Sequence, residues 1–143
     1  MKKRLSLILA TTAALFCFAQ PALADDFICE GSIGSRSIDD NIKVPNGASC
    51  ALNGTRVDGN IEVHRRASLR MNGAKIDGNV ISEGASQIHI SNSRIDGNIE
   101  AKTYTPSLTV SGTAVDGNIV CEDGTRLKGS NNRVDGNIEC RNK

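Results

Sequence analysis

Apolar residues recur in this chain at a nearly fixed spacing, and within each recurrence they alternate with polar residues. A short phrase built on Asp-Gly-Asn or a close variant occurs six times, and its first aspartate serves as a reference position. These reference residues are Asp39, Asp58, Asp77, Asp96, Asp116 and Asp135, so successive copies lie 19, 19, 19, 20 and 19 residues apart. A fixed period in this range is typical of a solenoid, in which each repeat buries its apolar side against its neighbours.

Five positions around each reference aspartate are apolar in most copies, and we call each set of equivalent positions a column. The columns lie eight, six and one residues before the aspartate and three and five residues after it. Around Asp96 they hold Ile88, Ile90, Ile95, Ile99 and Ala101. Alternation of period two, with many Val and Ile residues, indicates strands, and no segment offers ten residues of helical period. The pattern predicts three short strands per copy.

Three turns separate these strands. The first is the Gly-Asn pair of the repeated phrase, and the second is the segment around Pro45-Asn46-Gly47, whose counterpart near Tyr104–Pro106 has one extra residue. The third is Asn53-Gly54 and its equivalents, where Gly or Asn adopts a left-handed conformation at little cost. Stacking this triangle in register places each strand about 4.8 Å from its copy and parallel to it.

We therefore predict an all-β fold, a single-stranded parallel β-helix or β-solenoid of about six rungs, where a rung is one 19-residue turn of the coil. Each rung has three short strands. The general handedness of parallel crossover connections predicts a right-handed coil.

The N-terminal 24 residues have the features of a secretory signal peptide. A basic start (Lys2–Arg4) precedes a short apolar run, and Ala22-Leu23-Ala24 supplies the small-x-small cleavage pattern. The apolar run is shorter than the ~20 residues of a membrane span, and no other stretch qualifies. We expect cleavage after Ala24 and a location in the periplasm or outside the cell. The remaining chain is expected to comprise an N-terminal cap at residues 25–37 and a β-helix domain at residues 38–143.

Charge and cysteine content narrow the possible functions. The sequence has 17 Lys+Arg and 16 Asp+Glu; without Lys2, Lys3 and Arg4 the count is 14 against 16, a net charge of −2. This balance gives no electrostatic case for nucleic acid as a partner. Four cysteines remain after cleavage, and an even number in an exported chain favours disulfides. Cys121 and Cys140 share an inward column on adjacent rungs, which predicts one pair. A two-residue insertion in the first rung would place Cys29 beneath Cys50, which predicts the other.

An asparagine follows each reference aspartate by two residues. These are Asn41, Asn60, Asn79, Asn98, Asn118 and Asn137. Stacked copies are expected to form an asparagine ladder in which each amide donates to the carbonyl above and satisfies backbone groups of the turn. Ligand binding by these amides is the alternative.

The six reference aspartates also form a column, and identical carboxylates ~4.8 Å apart repel by roughly 0.9 kcal/mol even in water. A mostly basic column two residues earlier holds Arg56, Lys75, Arg94 and Arg133. We expect these cations to neutralise the aspartates, which would also cap the following turns. Calcium ligation by Asp and Asn oxygens of successive rungs is the alternative. We expect neither a metal nor another cofactor.

No arrangement of candidate catalytic residues is apparent, and nearly identical rungs leave no distinctive site, so we do not expect an enzyme. His64, Arg65, Arg66 and Arg70 form one local basic cluster, with His89 and Lys128 in the column of Arg70. This cluster is a possible binding face for an acidic glycan or a protein, and a merely solvated face is the alternative.

Phrases such as RVDGNIEV at Arg56–Val63 and RIDGNIEA at Arg94–Ala101, on rungs of 19 residues, resemble those of the bactofilins. Bactofilins are bacterial cytoskeletal β-helices that polymerise end to end, so the resemblance implies a structural, self-assembling protein. The period is also similar to the repeats of filamentous-haemagglutinin-type adhesins. The signal peptide and the cysteines differ from typical cytoplasmic bactofilins, and neither resemblance implies a catalytic residue.

Two hypotheses of function follow. The first is an exported structural module that self-associates end to end or attaches at the cell envelope. The second is a recognition module that binds a protein or an extracellular polysaccharide through a charged face. The chain after Cys140 is three residues long, Arg141-Asn142-Lys143, which is expected to leave the core around Leu127, Val134 and Ile138 partly open.

Overall fold

Nineteen short strands form three parallel sheets in residues 25–140, the part of the chain that the computed structural model describes. The predicted signal peptide, residues 1–24, and the tail at 141–143 lie outside the described residues. Sheet A contains β1 (Phe27–Ile28), β4 (Ile42–Val44), β7 (Ile61–Val63), β10 (Val80–Glu83), β13 (Ile99–Thr103), β16 (Ile119–Cys121) and β19 (Ile138–Cys140).

The other two sheets have six strands each. Sheet B contains β2 (Ser32–Ile33), β5 (Ser49–Asn53), β8 (Ser68–Asn72), β11 (Gln87–Ser91), β14 (Ser107–Ser111) and β17 (Leu127–Lys128). Sheet C contains β3 (Ser37–Ile38), β6 (Arg56–Val57), β9 (Lys75–Ile76), β12 (Arg94–Ile95), β15 (Ala114–Val115) and β18 (Arg133–Val134). Every strand pairs with the equivalent strand of the adjacent rung, which confirms the predicted parallel β-solenoid of about six rungs. None of these residues forms a helix that has the length and apolar character to cross a membrane.

The core is a column-by-column stack of side chains inside the triangle. Around Asp96, the inward residues Ile88, Ile90, Ile95, Ile99 and Ala101 are all buried. The same five columns are buried in the other central rungs, which confirms the predicted core positions. Because burying one Ile or Val side chain contributes roughly 1.5–3 kcal/mol, each rung gains most of its stability from contact with its neighbours.

Two of the three turns depend on different properties of Gly. In the third turn Gly54, Gly73, Asn92, Gly112 and Asn131 all have positive φ angles, which confirms the predicted left-handed position. The glycines of the repeated phrase do not need positive φ. They are required by close stacking instead, as described below.

The extra residue of the fourth interval is absorbed locally. Ser82 lies opposite Ala101 and Glu83 lies opposite Thr103, so Lys102 is the residue left over in a β-bulge. The next pairs, Gln87 with Ser107 and Ile88 with Leu108, are back in register. The coil on either side of the insertion therefore keeps the same columns.

The first rung differs from the one predicted. Residues 25–37, predicted as a cap, contain β1 and β2, which already pair within sheets A and B. Phe27 lies opposite Ile42 and Cys29 donates its backbone N–H to the Lys43 carbonyl, so Cys29 directly follows β1 of sheet A. The expected two-residue insertion is wrong. Ser32 follows Cys29 by three positions, whereas in the next rung the equivalent Ala51 follows Val44 by seven. The connection from sheet A to sheet B is therefore four residues shorter in the first rung.

Candidate functional site at the ends of the solenoid

The asparagines of the first turn link successive rungs through their side-chain oxygens. Asn41 Oδ1 accepts the backbone N–H of Asn60 at 2.9 Å, and Asn79 Oδ1 accepts that of Asn98 at 2.8 Å. The same bond recurs up to Asn137. The recurring link thus satisfies a backbone N–H of the turn, which is one part of the expected ladder. The other expected part, a bond from amide to amide, joins Asn79 Nδ2 to Asn60 Oδ1 at 3.1 Å. The turn amides are therefore occupied within the coil.

The glycines beside these asparagines leave no room for a side chain. A Cβ at Gly78, Gly97 or Gly117 would lie closer than 3.0 Å to the asparagine oxygen and the glycine carbonyl of the preceding rung. Such an approach is closer than carbon and oxygen atoms tolerate, so only Gly fits. The first copy of the phrase has Asp40 at this position, and its side chain is exposed.

The aspartate column is paired with the basic column along the outside of sheet C. Arg56 Nε lies 3.2 Å from Asp58 Oδ1 of its own rung, and Arg56 Nη2 lies 3.1 Å from Asp77 Oδ2 of the next. Arg94 bridges Asp96 and Asp116 in the same way, at 2.8 and 2.7 Å. These carboxylates are therefore paired with arginine side chains of the same coil.

These ion pairs shift pKa values in the directions that favour the charged forms. Lys75, with Nζ 3.2 Å from Asp77 Oδ1, and then Arg56 hold the pKa of Asp77 below its usual value. Bonds to Asp58 and Asp96 raise the pKa values of Arg56 and Arg94. Within residues 25–140, no three His, Cys, Asp or Glu side chains lie close enough together to hold a metal ion.

The basic cluster noted in the sequence is divided by the structure. His64, Arg65 and Arg66 lie in the turn between β7 and β8, where His64 Nδ1 is 3.3 Å from Glu83 Oε2. Arg70 instead points outward from the middle of β8, on the face of sheet B. The predicted binding face is thus two separate surfaces, a mixed-charge turn and a position on a flat sheet.

The C-terminal end of the described coil exposes part of its core. Leu127 and Val134 are partly exposed, and Ile138 is 54% exposed, whereas the equivalent Ile119 one rung earlier is fully buried. This exposure confirms the opening predicted around these three residues. In the described residues, β17, β18 and β19 each pair with a strand on one side only. The end therefore combines apolar side chains with strand edges that are able to pair.

The family model of the bactofilins, described as polymer-forming cytoskeletal proteins, matches residues 49–143. The chain belongs to the bactofilin family. Searches of curated proteins and of solved structures found no match. The family is a structural one, and the matched segment of this bactofilin contains most of the solenoid, including its exposed C-terminal end.

The N-terminal end of this bactofilin is built differently. Ile33 and Ile38 remain buried, at 8% and 5% exposure, although they belong to the first strands of their sheets. Phe27 is partly buried against the core cluster to which both belong, and the Arg36 guanidinium lies 5.1 Å from the centre of its ring. The Lys43 ammonium pairs with Asp26 at 2.6 Å, an interaction that lowers the pKa of Asp26 and raises that of Lys43. An aromatic ring under a guanidinium thus closes this end.

Each end also holds a pair of cysteines at disulfide-bonding distance. Cys29 and Cys50 have Cα atoms 5.5 Å apart and join sheet A to sheet B in the first rungs. Cys121 and Cys140 have Cα atoms 4.5 Å apart and join β16 to β19. The second pair fixes the strand that carries Ile138.

A buried hydroxyl ladder beside the third turn was not predicted. Ser93 Oγ accepts the N–H of Ala74, and Thr113 Oγ1 accepts that of Ser93. Thr55 Oγ1 donates to the Gly34 carbonyl in the same column. The sequence signal was a small or hydroxyl residue three positions before most reference aspartates, which is easily mistaken for ordinary turn composition.

Proposed function

We propose that this bactofilin is an exported structural module that assembles with further copies of itself through the C-terminal end of its solenoid, at the cell envelope. The observation that carries the proposal is the exposure of Ile138 in a column that is otherwise buried along the described coil. Polymer formation is the property by which the family is described.

The physical argument is that the end is an unfinished stack. Each earlier rung covers its inward Ile or Val with the next rung, and the last described rung has no such cover. A second copy placed on this end would bury Leu127, Val134 and Ile138 and pair the free strand edges. Burial of these side chains is favourable by roughly 25 cal/mol for each Å² removed from water.

The partner surface best suited to this end is the same end of a second copy. The N-terminal end already buries Ile33 and Ile38 and presents Asp26, Arg36 and Asp40, so it offers little apolar surface. An isologous contact uses one patch twice and closes with two-fold symmetry, so this contact joins two copies and a longer polymer needs a further surface.

Export is supported by the cysteines. Two pairs lie at bonding distance, one at each end, and disulfides persist in oxidising compartments such as the periplasm or the extracellular space. The N-terminal signal-peptide features point to the same compartments.

The proposal is tested with Ile138→Glu, with Ile28→Glu as the matched control. Both isoleucines belong to sheet A and both are 54% exposed, but Ile28 points outward from the first strand. Light scattering after size-exclusion chromatography, over a range of concentrations, should show self-association of the native protein and of Ile28→Glu. It should show only monomer for Ile138→Glu.

Circular dichroism and thermal melting of all three proteins show whether the coil is intact. A folded Ile138→Glu variant that still associates, or a native protein that is monomeric at high concentration, would refute assembly through this end. Loss of association in both variants would instead implicate the whole of sheet A.

A further inference from the structure

The outer face of sheet B differs from the other two faces in its charge. Its outward positions in β2, β5, β8, β11, β14 and β17 carry no Asp or Glu, although the chain has 16 acidic residues. The outside of sheet A carries Glu62, Glu100 and Glu139, and the outside of sheet C adjoins the aspartate column. The acidic residues are thus concentrated away from one face of the solenoid.

The middle column of this face holds two cations and no acidic residue. Arg70 and Lys128 point outward from β8 and β17, with His89 and Thr109 between them in β11 and β14. None of the ion pairs within residues 25–140 involves Arg70 or Lys128. Three strand spacings separate these two residues, which is about 14 Å along the coil. Their charges are therefore available to an external anion.

Hydroxyl and amide groups flank the middle column on both sides. One row contains Ser49, Ser68, Gln87 and Ser107, and the other contains Asn53, Asn72, Ser91 and Ser111. In-register pairing repeats both rows along the axis. The face therefore offers regularly spaced hydrogen-bonding groups on both sides of the column that holds Arg70 and Lys128.

The face is also indented. A depression of about 390 Å³ lies over the first rungs, between Ser32, Ala51 and Arg70. It arises because Gly31, Ser32 and Ala51 are small where the following rungs carry Arg70 and His89. The largest side chain at its border is Arg70.

We propose that the outer face of sheet B binds an extended acidic polysaccharide that lies along the coil. Carboxylates of the sugar chain pair with Arg70 and Lys128, and its hydroxyl groups bond to the flanking serine, asparagine and glutamine side chains. Charge-assisted bonds of this kind are the strong ones, and Arg matches the planar carboxylate with two parallel donors. The face has no aromatic side chain on which nucleic-acid bases would stack.

The test uses polygalacturonate as the acidic probe and dextran as the neutral one. Affinity electrophoresis and calorimetry should show binding of the native protein to polygalacturonate and none to dextran. The double variant Arg70→Ser/Lys128→Ser should lose about tenfold or more in affinity, as expected for two charge-assisted contacts.

The matched control is Arg65→Ser/Lys102→Ser, which removes the same charge from the turn after β7 and from the bulge of β13. It should retain affinity within about twofold, as expected for cations that lie off the binding face. The proposal is overturned if polygalacturonate does not bind or if both double variants lose affinity equally. It is likewise overturned if oligo-dT competes as well as polygalacturonate. The proposal is independent of self-association, because Ile138→Glu leaves this face unchanged.

Discussion

At the level of single residues, the coil is held by side chains that each serve two rungs. Arg94 pairs with Asp96 of its own rung and Asp116 of the next, and Asn79 Oδ1 accepts a backbone N–H from the rung above. The repeat stacks aspartates in one column, where their charges repel. The arginines beside them neutralise this repulsion and link successive rungs. The repeated Arg, Asp and Asn residues thus have bonding partners in the adjacent rungs.

The ion pairs predict a dependence of stability on pH. The pKa of Asp77 is lowered in the folded state, so its contribution is present above the unfolded value of about 3.9 and is lost as pH falls through the lower folded value. Thermal melting at pH 7 and near pH 2 should show Asp77→Asn less stable than the native protein at pH 7 and close to it near pH 2. Asp39→Asn is the control, since Ser37 stands where four of the five later rungs have a cation. Parallel pH curves for the native protein and Asp77→Asn would contradict this explanation.

At the level of strands and turns, glycine is required for two different reasons. Gly73 supplies a left-handed backbone conformation, and a Cβ there would meet nothing within 4 Å, whereas Gly97 supplies the absence of a side chain where two rungs approach.

Gly97→Ala should therefore be strongly destabilising. Its Cβ would meet Asn79 Oδ1 and the Gly78 carbonyl closer than 3.0 Å, and overpacking of this kind costs about 1–3 kcal/mol or more. Gly34→Ala, where a Cβ has open space, should change the free energy of unfolding by less than about 0.5 kcal/mol. Urea unfolding measures both, and equal losses would show that close stacking is not what requires Gly97.

The sequence predicted the strands and the core because periodicity is a property of the columns themselves. Ile90 and Ile99 are recognisable as inward residues since every neighbouring copy repeats them. The first rung could not be predicted the same way, because the chain between Cys29 and Ser32 is shorter there and the period gives no information. The absence of acidic residues around Arg70 was also missed, since it depends on which residues of other strands share a face.

At the level of the whole molecule, the two ends have opposite characters. Phe27 and Arg36 close one end, and Ile138 leaves the other open. The open end is the one to which self-association is assigned in the proposal above, and the polysaccharide proposed for sheet B would occupy a side of the solenoid instead.

Removing the C-terminal cysteine pair should affect both stability and assembly. A disulfide that closes a loop of 19 residues contributes about 3 kcal/mol in the chain-entropy view. Cys121→Ser/Cys140→Ser should lower the unfolding free energy by an amount of this order and weaken self-association, because the last strand carries Ile138. Cys29→Ser/Cys50→Ser should lower stability similarly and leave association intact. Denaturation and light scattering of the two variants distinguish these outcomes. Equal self-association of the two variants would show that the C-terminal cysteine pair does not support the contact.

The bonds between rungs also imply an order of construction. Asn41, Asn60 and Arg56 each present groups that the following rung needs, so a finished rung is a template for the next one. A polypeptide that emerges N-terminus first meets the closed, aromatic-capped rung before any other. It can then wind onto that base as it is delivered, without waiting for distant sequence. The strand that carries Ile138 is wound last among the described strands, so the end proposed to associate forms only when the chain as far as β19 is in place.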